Sequence, residues 1–176
     1  MRIRAVVTLA LAAVAVAVLM AMPAFAAKEG TEHPYKGSGT QTGTFTYEQG
    51  PPEVFTFDIV GPFSAGSLGK GTARTYSDAS GKNERGIMTF ANGDKLYTTG
   101  LQDELSTKGI VCPAPSHGAT LPPWYGWEAF SETFIFKGGT GRFKNATGKG
   151  VTRGCLYFLD KKHWIVTYTD KGTLTY

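Results

Sequence analysis

The residue best placed for acid–base chemistry in this sequence is Glu132. Two-residue alternation puts it on one strand face with Phe130, Phe134 and Phe136. A carboxyl group buried among aromatic rings resists ionisation, which moves its pKa toward the range useful to a general acid or base. At the mouth of a sheet, in water, the same residue would be an ordinary surface carboxylate. Asp58 stands opposite an aromatic face and Asp94 beside a turn, so exposure or a backbone hydrogen bond is the expected role of both. His33, His117 and His163 share no ligand spacing, so no metal site is expected and no Ser-His-Asp order can be assigned. Of the three, only His117 lies in a segment that could approach a pocket.

A second cluster is Trp124-Tyr125-Gly126-Trp127. Exposed rings of this kind could stack on a sugar or line an apolar mouth. Packed over one end of the fold, they would instead cover the neighbouring prolines. Trp124, Tyr125 and Trp127, together with Tyr97 and Phe134, are the candidate ligand contacts. No motif asks for a cofactor.

The elements that must position these residues read as strands. Residues 27–39 are polar and turn-rich, a flexible lead-in. Alternation over 40–47 and 54–60 predicts two strands, the second ending at Gly61-Pro62, and 70–77 is a weaker third. Residues 85–91 and 94–99 flank Asn92-Gly93, which predicts a hairpin with a two-residue type I′ turn. That register sets Phe90 opposite Lys95 and Met88 opposite Tyr97, with Met88, Phe90 and Tyr97 on one face. Residues 101–108 fit a short helix or a strand. Residues 109–127 hold Pro113, Pro115, Pro122 and Pro123, and so form a long Pro-rich loop. Strands follow at 130–137, 149–159, 164–169 and 173–176, the last two separated by an Asp170-Lys171-Gly172 turn. Helical periodicity is missing from 27 onward, so the fold class is all-β, with about eight or nine short antiparallel strands. A sandwich and a barrel both fit. The many glycines favour a single antiparallel barrel, whose strands must bend sharply.

Ahead of this domain, Arg2 and Arg4, the apolar run Ala5 to Ala21 and Ala24-Phe25-Ala26 have the layout of a cleaved secretory signal peptide over 1–26. The run could also serve as a membrane anchor. Cleavage is the expected outcome, leaving no stable membrane insertion and a barrel domain over 40–176. Taking Arg2 and Arg4 from the 18 basic residues leaves 16 against 14 acidic, a net +2. That is too slight a bias to indicate nucleic acid as a partner. In an exported protein, secreted or periplasmic, Cys112 and Cys155 are expected to form one disulfide. It would close a loop of about 43 residues, worth roughly 4 kcal/mol in the chain-entropy view.

The densest glycine run spans Gly138 to Gly150, between two strand-like stretches, and predicts a tight backbone corner. A phosphate cradle would need this loop to open a helix, whereas strand pattern resumes at Gly148. The nearby Cys112–Cys155 bridge is expected to brace the corner. The pattern Gly138-Gly139-Thr140-Gly141-x-Phe143-x-x-Ala146-x-Gly148 resembles the signature of the allene oxide cyclase and dirigent barrels, most nearly their secreted bacterial members. Asn92-Gly93-Asp94-x-Leu96 is similar to a hairpin ahead of it. The resemblance implies an eight-stranded antiparallel barrel with an apolar interior. It assigns Gly138, Gly139, Gly141 and Gly148 to turning the chain and Phe143 to plugging the barrel end. It transfers no catalytic residue. The expected function is that of a secreted barrel binding an apolar or aromatic small molecule. The alternatives are a cyclase- or dirigent-like enzyme that steers cyclisation or coupling of a reactive molecule, and a cell-envelope or surface interaction module using the Trp-rich loop.

Overall fold

The structure, a computed structural model, describes residues 30–48, 54–80, 83–101, 105–113 and 126–176. Eight strands alternate inward and outward side chains: β1 (Glu32–Glu48), β2 (Val54–Ser64), β3 (Lys70–Ser77), β4 (Glu84–Phe90), β5 (Lys95–Gly100), β6 (Trp127–Gly139), β7 (Thr147–Phe158) and β8 (His163–Thr175). Each pairs antiparallel with the next and β8 closes on β1, so the chain forms one closed barrel in sequence order. Closure pairs the first strand with the last, so the barrel lacks the two free edges of an open sheet.

Several strands run through signals that read as breaks. β1 begins at Glu32, inside the expected lead-in, because Tyr35 enters the core and residues 32–44 pair with β8. β2 continues through Gly61-Pro62 to Ser64, with Pro62 pointing outward and Phe63 inward. Asp170-Lys171-Gly172 is not a turn: β8 passes straight through it. Gly172 is needed there for close approach, since a Cβ would collide with the Lys149 carbonyl of β7.

The β4–β5 hairpin also differs from a type I′ turn. The Gly93 amide donates to the Phe90 carbonyl, so Ala91 and Asn92 are the central residues, and Gly93 (φ 88°) takes the left-handed position after them. Thr89 therefore faces Lys95 and Met88 faces Leu96. This one-residue shift sends Leu96 to the interior and Tyr97 to the outside.

Inside, the core has two parts. Tyr35, Phe63, Phe90, Leu96, Phe134, Phe136, Phe143 and Leu174 belong to one cluster, at the end of the barrel that holds the glycine corner. Ile59, Trp164 and Val166 form the other, with Phe45, Phe55, Phe57, Phe130, Leu156 and Phe158 packed against them. At the corner, Gly138 (φ 81°) and Gly141 (φ 55°) adopt backbone that a side chain would strain. The short 3-10 turn Gly141–Phe143 drives a fully buried Phe143 against Phe90 (ring centroids 4.9 Å) and Tyr176 (5.3 Å). Arg142 lies over the Phe143 ring, donates to the Leu68 carbonyl (2.6 Å) and faces Asp94 (3.5 Å), tying three loops together.

The Cys112–Cys155 disulfide is present, with Cα atoms 5.7 Å apart. It does not brace the corner. Cys155 lies eight residues along β7 from Thr147, a distance of about 26 Å. The bridge ties the segment 105–113 to β7 instead, and Arg153 donates to the Ser106 (3.3 Å) and Lys108 (2.9 Å) carbonyls of the same segment.

Candidate functional site

A cavity of about 860 Å³ occupies the half of the barrel away from the corner. Its apolar wall comes from the second core cluster. Trp164 sits among Phe55, Phe57 and Phe45, with ring centroids 5.5–5.6 Å apart. β5 is short and ends at Gly100 opposite Phe134, so the Trp127–Thr133 part of β6 extends beyond it. Leu105, Ser106 and Thr107 complete the wall there, with the Leu105 amide donating to the Ser131 carbonyl.

Between the two apolar clusters runs a belt of polar side chains. Glu132, Thr152 and Asp170 are direct cross-strand neighbours on β6, β7 and β8, all facing inward. The Thr152 hydroxyl donates to the Asp170 carboxylate (2.9 Å), and the Tyr35 phenol hydrogen-bonds the same carboxylate. Burial pushes Asp170 up to about 6, and those two hydrogen bonds oppose the rise. Tyr35 is held well above its ordinary range by burial first and then by the neighbouring Asp170 charge. Tyr168 is raised by the same two causes. Space for this group exists because β1 is glycine-rich: a Cβ on Gly37 would lie 2.7 Å from the Tyr35 hydroxyl, and one on Gly39 would lie 2.6 Å from that of Tyr168.

Across the belt, Glu84 hydrogen-bonds Glu132, and burial raises the Glu84 carboxyl to about 7. Two carboxyl groups in hydrogen-bond contact share a proton, since an ionised carboxylate only accepts. Glu84 reaches its partner over Gly100, where a Cβ would come within 2.9 Å of the Glu84 carboxyl carbon. Gln41 and Thr75 form a further neutral pair on the cavity wall (3.2 Å). These groups could hold and exchange protons against a bound molecule while the aromatic wall excludes water from its apolar part.

Of the residues singled out from sequence, Glu132 and Phe134 both line this cavity. Trp127 is half-exposed at the start of β6 on the outer face, and Tyr97 is outside for the register reason given above. Neither borders the cavity. Trp124, Tyr125 and His117 lie outside the described residues. Asp58 is on the outer surface, held by Arg74 through Nε (2.9 Å) and Nη2 (2.6 Å), which lowers its pKa. Asp94 belongs to the hairpin turn, where Asn92 Nδ2 donates to it (2.9 Å). His163 pairs with Asp160 on the surface (2.6 Å). Among the described residues, no cluster of three potential metal ligands occurs. Asp170 and Glu84 were missed. Asp170 follows Trp164, Val166 and Tyr168 in strict alternation, and Glu84 precedes Gly86 and Met88 in the same way, so the signal was present in both strands. Comparison with family models, curated proteins and solved structures finds no match.

Proposed function

We propose that this protein is an exported barrel that binds a small molecule with an apolar or aromatic body and a polar end. The observation that carries this reading is the cavity itself: about 860 Å³, with aromatic rings on one side and a hydrogen-bonding belt on the other. Pockets for small ligands combine apolar and aromatic walls with convergent polar groups, and this cavity has both, with a larger polar share than most. The likeness to allene oxide cyclase and dirigent barrels rests on the sequence pattern of the glycine corner. Native mass spectrometry of the protein purified from its producing host tests the reading. A bound mass lost on denaturation is expected, and a bare polypeptide mass that no small molecule shifts would overturn it.

A second reading is an enzyme of the cyclising or coupling kind, favoured by the proton shared between Glu84 and Glu132 beside the cavity. It predicts that Glu132→Gln abolishes turnover of the co-purified molecule yet preserves its binding.

A further inference from the structure

On the ligand-binding reading, the charge of the cavity wall narrows the class of occupant. Glu84, Glu128, Glu132 and Asp170 all border the cavity. The single lysine or arginine doing so among the described residues is Arg74, and Asp58 grips its guanidinium on the outer face. Asp170 is 4% exposed, and its described hydrogen-bond partners, Thr152 and Tyr35, are neutral. A buried carboxylate without a countercharge favours a cation that enters beside it. The facing wall suits the same charge, because the rings of Trp164, Phe57, Phe130 and Tyr168 offer π faces that attract ammonium groups.

A separate observation concerns Trp164. Its side chain lines the cavity at 4% exposure, and its Nε1 has no acceptor among the described residues. Buried donors are normally satisfied, so this N–H calls for an acceptor from the occupant. We propose that the cavity takes an apolar or aromatic amine that also carries an oxygen, the ammonium group settling against Asp170 and Glu84 and the oxygen accepting from Trp164 Nε1. Anionic molecules of the same size are disfavoured by the carboxyl groups around them.

Calorimetric titration of the folded protein with naphthylethylamine, naphthylethanol and naphthylacetate separates these claims. The amine is expected to bind at least about tenfold more tightly than the alcohol, with the acetate weakest. Asp170→Asn and Glu84→Gln keep the side-chain shape and remove the charge, and each should narrow the preference for the amine over the alcohol to within a few-fold. A hydroxyl added to the amine's side chain should tighten binding several-fold in the native protein and not in Trp164→Phe. Equal or tighter binding of the alcohol would overturn the cation assignment and leave the ligand-binding reading intact. A hydroxyl effect that persists in Trp164→Phe would overturn the acceptor role. No binding by any of the three would overturn the inference together with the reading it rests on.

Discussion

The two halves of the barrel interior are built on the same alternating strands and end in opposite conditions. Toward the corner, Phe63, Phe90, Leu96, Phe136 and Leu174 close around Phe143, and the space is filled. Toward the other end, the rings are as large and as numerous, but they stand around a cavity. Aromatic content is therefore not what distinguishes a core from a pocket. The difference lies in what occupies the axis. A 3-10 turn pushes Phe143 into one end, whereas no described side chain fills the other. Glycine also works differently in the two halves. At the corner it bends the backbone, and on β1 it leaves room for Tyr35, Tyr168 and Asp170 to meet.

Breaking the filled half should have the largest effect. Phe143→Ala removes a fully buried ring with no room for collapse, and a loss of about 3–5 kcal/mol is expected. Thermal denaturation measures it, and ligand affinity of the fraction still folded at low temperature should be unchanged. A loss of binding with an unaltered melting temperature would mean that the halves are not separate.

The next effect is a pH dependence located in the cavity half. Glu84 and Asp170 have folded pKa values of about 7 and about 6, raised by burial above their ordinary values. The folded protein then keeps protons that the unfolded chain has released. The stability these acids permit is complete below about pH 4, falls as pH rises to about 7, and is level beyond that. The fall is on the order of 1–3 kcal/mol for Asp170 and of the same order for the Glu84–Glu132 pair taken as one unit. Asp58, Asp78 and Asp160 have lowered pKa values and act in the opposite sense, losing stability as pH drops below about 4. Denaturant melts across this range should show greatest stability near pH 4–5. Glu84→Gln and Asp170→Asn should flatten the alkaline side, and a curve unchanged in both variants would contradict the burial of these groups.

The smallest effect belongs to the outer wall, which neither half uses. Asp58→Asn breaks an ion pair with both side chains about half exposed, so less than about 1 kcal/mol should be lost in urea denaturation. A larger loss would show that the outer face contributes to the cavity.

Much of this arrangement could be read from sequence, and the exceptions have a common cause. The all-β class, the cysteine bridge, the corner and the inward face of Glu132 and Phe134 follow from alternation and glycine placement. Asp170 was hidden because Asp-Lys-Gly is also turn chemistry, and only the register with β7 shows that the strand continues. Glu84 was hidden at a strand start, where nothing local tells that Gly100 clears its path to Glu132. Tyr97 was misplaced by a single residue in the hairpin, enough to reverse its face. Local signals thus gave the strands well, while pairing across strands decided which polar groups meet.

Protein NMR during titration with naphthylethylamine tests the division of the interior most directly. The Trp164 indole N–H, Ile59, Thr75 and Val166 are expected to shift, while Leu96, Phe143 and Leu174 are not. Shifts confined to the corner cluster or to the exposed Trp127 would contradict that division.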